Sequence, residues 1–135
     1  MVHKKYKTIN CRGKLVDFNR PKIMGILNIT PDSFSDGGKY NSEIRALRRV
    51  EEMIDEGVDI IDIGAQSTRQ NADKISAGEE MKRIGNLIST IKKHFPEVLV
   101  SLDTFYGEVT KVANSVMKHL SDTITTQGII GVCNI

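Results

Sequence analysis

Tryptophan is absent from this sequence, and four phenylalanines and three tyrosines are all it has in aromatic rings. So few rings give no stacking platform of the kind single-stranded nucleic acid requires. A dominant charge is missing too. Nineteen Lys and Arg against 17 Asp and Glu leave a formal net charge of +2, with the signs interspersed, and this excludes a basic nucleic-acid footprint. No apolar run approaches the roughly 18 residues of a membrane-spanning helix. The basic start, Met1 to Lys7, leads into no apolar stretch, which argues against a secretory signal. Cysteine is scarce: Cys11 and Cys133 stand at opposite ends with no C-x-x-C spacing. Two reduced thiols in a cytosolic protein fit that usage. The expectation is a cytoplasmic protein without membrane or nucleic-acid partners. At 135 residues and 39% apolar content, it has enough core for one globular domain.

What is present is a repeated alternation. Residues Tyr6 to Phe18 alternate loosely and turn at Arg12-Gly13-Lys14, which predicts an N-terminal β-hairpin within residues 1–20. After Pro21, Lys22 to Asn28 is a nearly continuous apolar run, the pattern of a strand buried on both faces. A polar loop follows, Thr30 to Gly38. From Ser42 the period becomes helical, with Ile44, Leu47, Val50, Met53 and Ile54 on one face, Asn41 or Ser42 as cap, and Gly57 placed as a C′ glycine. Val58 to Ile63 is a second strand, closed by Gly64, and Gln66 to Lys74 a second loop. Ser76-Ala77-Gly78-Glu79 is a capping box opening a helix with core face Met81, Ile84, Leu87, Ile88, Ile91 and Phe95. Val98 to Asp103 is a third strand. Thr104 is placed to cap a third helix that turns Val109, Val112, Ala113, Val116, Met117 and Leu120 inward. A fourth strand fits Ile129 to Cys133.

Strand, loop and helix in alternation imply parallel strands with helices outside. Two closures are open to such a chain, a doubly wound sheet or a (β/α) barrel. No G-x-G-x-x-G follows the first strand, which lowers a dinucleotide-binding reading. A closed barrel needs eight units over about 250 residues; three units and a fourth strand do not close alone. The edges left at each side invite pairing with a second copy, a homo-oligomer. An unclosed sheet would also leave the inner faces of Ile26, Ile61 and Leu102 open to water.

In parallel α/β folds chemistry collects beyond the carboxyl ends of the strands. Here those ends carry Asn28, the loop Gln66-Ser67-Thr68-Arg69, and Asp103. Each has a bland reading alone: Asn28 satisfying a loop carbonyl, Asp103 favouring a helix N-terminus, Arg69 lying in solvent. Three at equivalent rim positions point to a site. Asp32 and Asp36 with Asn28 offer oxygen ligands suited to Mg²⁺, which takes few protein oxygens plus substrate phosphate. Ser67, Thr68 and Arg69 offer donors to an anion. Phe34, on an otherwise polar loop, either tucks into the core or covers a flat ligand.

The segment Ile23-Met24-Gly25-Ile26-Leu27-Asn28-Ile29-Thr30-Pro31-Asp32-Ser33-Phe34-Ser35-Asp36-Gly37-Gly38 resembles the first signature of dihydropteroate synthases. Asp59 to Arg69 resembles the second, and Val100-Ser101-Leu102-Asp103-Thr104 the third-strand motif. The similarity spans about residues 22 to 115. It implies an incomplete TIM-type (β/α)8 barrel over residues 21–135, with an atypical tail from about residue 116. It implies a Mg²⁺-dependent folate-pathway transferase joining a dihydropterin diphosphate to 4-aminobenzoate with release of pyrophosphate. On that resemblance Asp103 holds the pterin ring, and Asn28 helps bind Mg²⁺ and the diphosphate. Asp36 stabilises positive charge developing on the pterin methylene, and Phe34 helps form the aminobenzoate pocket. Asp32, Ser67, Thr68 and Arg69 serve the substrates, Arg69 among the catalytic groups with Asp36.

Three departures stand out. Gln70 replaces a usual proline and loosens the second loop. Ala65 stands where the family has glycine. After about Ser115 the segment Ser121 to Gln127 intervenes, and no Asn-Asp pair follows on the fourth strand. A truncated, non-catalytic product is one alternative. A pterin-binding methyltransferase barrel is another, sharing the fold and the strand-three aspartate but not the full Thr30-to-Gly38 loop.

Overall fold

A computed structural model of the protein describes residues 8–11, 14–29, 38–65, 74–104, 106–121 and 129–133. The elements in chain order are β1 (Thr8–Cys11), β2 (Lys14–Asp17), β3 (Met24–Asn28), α1 (Gly38–Asp55), β4 (Ile60–Gly64), α2 (Ala77–His94), β5 (Leu99–Thr104), α3 (Gly107–Ser121) and β6 (Ile129–Cys133). The alternation read from sequence is present, and Ile129–Cys133 is a fourth strand. β3, β4, β5 and β6 lie side by side in that order, all parallel. A doubly wound sheet reverses its strand order at a switch point; this one does not. Sequential order with a helix after each of the first three strands is the arrangement of a (β/α) barrel, here open.

Local signals set the element ends. At the start of α2 the Ser76 hydroxyl accepts the Glu79 N–H at 3.2 Å, satisfying one of the helix's unpaired donors. Past α1, Gly57 holds φ at +92°, a value L side chains rarely adopt. Its N–H donates to the Ile54 carbonyl, and the Val58 N–H donates to that of Met53, both at 3.0 Å. That pair of bonds is a Schellman motif. Two expected starts differ. α1 begins at Gly38, so Asn41 and Ser42 lie inside its first turns rather than capping it. α3 begins at Gly107, so Thr104 is not its cap but the last residue of β5.

One face of the sheet carries the helices. Leu27, Ile61, Ile63, Val100 and Leu102 form a single core with Ala46, Val50 and Met53 of α1, Ile84, Leu87, Ile88 and Ile91 of α2, and Val109 and Ala113 of α3. Two helix residues expected inside, Ile44 and Val112, are exposed instead, because the stripe that packs on α1 is centred on Ala46 and Val50. Strand pleating corrects two further expectations. Ile61 and Leu102 point to the helices and are fully buried, not open to water. Ile26 alternates to the other face and is 67% exposed. β3 is thus buried on one face only.

The lower part of that other face is covered by the hairpin. β1 and β2 pair antiparallel, Ile9 opposite Val16 and Cys11 opposite Lys14. Arg12 and Gly13 of the expected turn lie outside the described residues. Cys11 and Val16 pack on Ile60 and Leu99, the first residues of β4 and β5. Burial there pushes the Cys11 thiol up, against the opposing pull of Lys14.

At the same end Lys92 is buried, and its Nζ donates to the carbonyls of Pro96 and Val98, both at 2.6 Å. Those bonds tie the end of α2 to the entry of β5. Burial drops this ammonium to about 8; Glu97 opposes the drop and Lys14 adds to it. An unfolded lysine titrates near 10.4, so between the two values the unfolded chain binds more protons and stability rises with pH. The rise is at most about 3 kcal/mol. Cys11 acts in the opposite sense over an overlapping range, so the readout is the difference between two proteins. Urea midpoints measured from pH 7.5 to 10 are expected to climb more steeply in wild type than in Lys92→Met. Parallel profiles would contradict this.

Candidate functional site

The rim at the carboxyl ends of the strands is built by register. Asn28 pairs with Gly64 in the β3–β4 ladder, and Gly64 with Asp103 in the β4–β5 ladder. The three residues therefore form one row across the sheet and, because pleating alternates, share one face. Geometry at the glycine fixes which side chains meet. A Cβ placed on Gly64 would lie 3.4 Å from Asn28 Oδ1 and 3.7 Å from both Cβ and Oδ2 of Asp103. An amide oxygen and a carboxylate thus flank a bare stretch of backbone. The row beneath comprises Ile26, Asp62 and Ser101. The Ser101 hydroxyl is buried and meets no hydrogen-bond partner among the described residues. A buried hydroxyl of this kind is a place where a ligand atom or a water bonds.

The expected convergence of Asn28 and Asp103 on one rim is what the register gives. Met24 lies four residues below Asn28 on the same face, 45% exposed. Gly25 faces the helices, where an added Cβ would come within 2.5 Å of the Met53 sulfur and 3.2 Å of Val58. Its bare backbone is what lets α1 approach β3. Asp32, Phe34, Asp36, Ser67, Thr68, Arg69 and Gln70 lie outside the described residues. The segments that hold them leave from rim positions, one after Ile29 and one after Ala65. The Ile29 N–H donates to the Gly64 carbonyl at 2.7 Å, extending the ladder to the foot of the first loop. Ala65, in place of the family's glycine, buries its Cβ in the helix-side core at 1% exposure.

Sequence reading missed three residues around this rim: Ser101, Glu80 and Thr104. Glu80 is fully buried, with the Thr104 hydroxyl donating to its Oε2 at 2.9 Å. Burial pushes its carboxyl above the usual range, the Thr104 bond pulls it back, and the Asp103 charge raises it further. In sequence it was one of two adjacent glutamates in a helix first turn, where acids favour the dipole and usually sit in water.

Oxygen donors on the rim, Asn28 Oδ1 and the Asp103 carboxylate, suit hard cations or N–H donors of a ligand. Among the described residues no group of three or more His, Cys, Asp and Glu is placed to hold a metal. A cation here would take few protein oxygens and complete its shell with water and phosphate, the habit of Mg²⁺. A separate crevice of about 220 Å³ lies between α1 and α2, lined by Glu43, Lys82, Arg83 and Asn86 among others. Its lining comes from α1 and α2, with Ile29 beside the end of β3, and includes neither Asn28 nor Asp103.

Residues 24–125 match the family described as pterin binding enzyme. The chain is 52% identical over 92 residues to dihydropteroate synthase of Staphylococcus haemolyticus, covering 68% of this chain and 34% of that protein. It is 42% identical over 113 residues to dihydropteroate synthase of Escherichia coli K12, covering 84% and 40%. Among solved structures it superposes on Xanthomonas albilineans dihydropteroate synthase with 4-aminobenzoic acid. There the TM-score is 0.74 at 35% identity, over 82% of this chain and 40% of that one. The Burkholderia cenocepacia enzyme complexed with 7,8-dihydropteroate gives a TM-score of 0.68 at 31% identity, over 93% and 38%. In each case this chain spans two fifths or less of its relative.

Proposed function

The chain belongs to the pterin binding enzyme family, and from that premise we propose that it forms the pterin-diphosphate side of a dihydropteroate synthase site. The observation that carries this reading is the Asn28–Gly64–Asp103 row, an amide oxygen and a carboxylate flanking bare backbone at the strand ends. Asp103 accepts paired N–H bonds from one edge of the pterin, the geometry in which a carboxylate binds most strongly. The ring lies over Gly64, where no side chain intrudes. Asn28 would hold a Mg²⁺ ion through its amide oxygen and donate its Nδ2–H groups to the diphosphate. When bound, the metal neutralises charge on the departing pyrophosphate.

In the reaction the bond from the pterin methylene carbon to the diphosphate oxygen breaks. A bond from that carbon to the aryl amine nitrogen forms, and the amine proton goes to solvent. A carbon that loses an oxyanion becomes electron-poor, and Asp36 is the carboxylate assigned to stabilise it. Arg69, with Ser67 and Thr68, holds anionic oxygens, Phe34 covers the aminobenzoate ring, and Asp32 binds substrate. An aryl amine is already nucleophilic without a base, so positioning carries most of the work.

Gly64→Ala tests the reading at its carrying observation. The new methyl fits at ordinary contact distances, so stability is expected to hold within about 1 kcal/mol. Affinity for 6-hydroxymethylpterin is expected to fall by about tenfold or more, because the methyl occupies the ring's place. Calorimetric titration beside a urea melt separates the two. Unchanged pterin affinity in a folded Gly64→Ala protein would remove the ring from this row.

A further inference from the structure

Two charged side chains are buried in the described core, Glu80 and Lys92. Lys92 is accounted for by the two carbonyls it binds. Glu80 is not, because a buried carboxyl is costly and only one of its oxygens is used. Oε1 meets no hydrogen-bond partner among the described residues. Its placement supplies the reason. Oε2 accepts from the Thr104 hydroxyl at 2.9 Å, and the Thr104 oxygen in turn accepts the Tyr106 N–H at 3.0 Å. With the Thr104 proton committed to Glu80, the hydroxyl lone pairs are aimed at the backbone of the turn that follows Asp103. The far end of the same turn is pinned as well: the Tyr106 hydroxyl donates to the Ile75 carbonyl at 2.8 Å, just ahead of the Ser76 cap. Thr104 is 1% exposed and Glu80 0%, so water does not compete for these bonds.

We propose that Glu80 is a positioning residue for Asp103: through the Thr104 hydroxyl it fixes the turn after β5, and so the direction in which the Asp103 carboxylate meets its ligand. Asp103 and Thr104 are consecutive on the strand and point to opposite faces. Anchoring Thr104 on the helix side therefore holds the neighbouring carboxylate on the ligand side. Shared hydrogen bonding of this kind is strongest where water is excluded. Burial raises the Glu80 carboxyl, the Thr104 bond lowers it, and the nearby Asp103 charge raises it further. The inference rests on the reading of Asp103 as the pterin contact.

The test titrates 6-hydroxymethylpterin into wild-type chain, Glu80→Gln, Glu80→Leu, Thr104→Val and Thr104→Ser. Urea melts and exchange of the Tyr106 amide are read on the same samples. Glu80→Gln and Thr104→Ser keep an acceptor and a hydroxyl, so their pterin affinity is expected within about twofold of wild type. Glu80→Leu and Thr104→Val lose the chain of bonds; affinity is expected to fall at least tenfold, with the Tyr106 amide exchanging at least tenfold faster. A purely packing role predicts lower urea midpoints with pterin affinity and Tyr106 exchange unmoved, and that result would overturn the proposal. Absence of pterin binding by wild type would count against the pterin reading instead. The Tyr106 amide then decides this inference alone: exchange accelerated in Glu80→Leu and restored in Glu80→Gln supports it, and exchange equal in all five proteins refutes it.

Discussion

Asp103→Ala is expected to lower the affinity of this chain for 6-hydroxymethylpterin by about a hundredfold, with no matching loss of stability. Asp103 is only partly buried, and its carboxylate stands on the open face of the sheet beside Gly64. Among the described residues, removing it exposes no core and orphans no buried donor. It does remove an ionised acceptor from a pair of ligand N–H groups. Hydrogen bonds to charged groups contribute about 1.5–3 kcal/mol each, and a loss of about 2.7 kcal/mol is a hundredfold in affinity. Asp103→Asn keeps shape and one acceptor but sets an amide N–H against a ligand N–H, so it is expected to lose nearly as much. Isothermal titration with a thermal melt on the same samples reads both quantities. Equal pterin affinity in wild type and Asp103→Ala would contradict the assignment of the ring edge to this carboxylate.

The 135-residue polypeptide assayed by itself is expected to release no pyrophosphate from dihydropterin diphosphate, 4-aminobenzoate and Mg²⁺. The described residues form four parallel strands where a closed barrel of this class uses eight. Stabilising a transition state around one methylene carbon requires groups converging from several directions at fixed distances. The described rim offers Asn28 and Asp103 from one wall. Its face below, with Met24 and Ile26 at 45% and 67% exposure, meets water. A side chain of this kind gains roughly 1.5–3 kcal/mol when fully buried, so the open face costs both stability and a dry site. Turnover by the monomer would show that one wall suffices. Turnover that appears only when a second polypeptide supplies the remaining strands would support the account.

How much of this was legible in the sequence follows from how local each signal is. The strand–helix alternation, the Ser76 cap and the Gly57 turn depend on residues within one or two turns of each other, and all three are found where the pattern placed them. The direction of side chains on β4 and β5 was not legible. Asp59 and Asp62 in Val58 to Ile63, and Ser101 in Val98 to Leu102, do not alternate strictly with apolar residues, so the pattern alone does not separate the helix side from the ligand side. Only the ladder register sends Ile61 and Leu102 to the helices and puts Gly64 between Asn28 and Asp103. Burial of Glu80 and Lys92 was hidden for a related reason. Each stands next to a solvent-facing residue of the same charge, Glu79 and Lys93, and tertiary packing alone separates the pairs. The candidate site read from strand ends was half recoverable. Asn28 and Asp103 are positioned by strands, whereas the loop residues assigned by resemblance lie outside the described residues.

The central claim is that the Asn28–Gly64–Asp103 row is where a pterin lies. A ¹⁵N-labelled chain titrated with 6-hydroxymethylpterin, followed by amide shifts, tests it most directly. The Asn28 side-chain amide and the backbone amides of Gly64, Ala65, Asp103 and Thr104 are expected to move together with one saturation curve. Shifts confined to Glu43, Arg83 and Asn86, around the crevice between α1 and α2, with the rim unmoved, would contradict it.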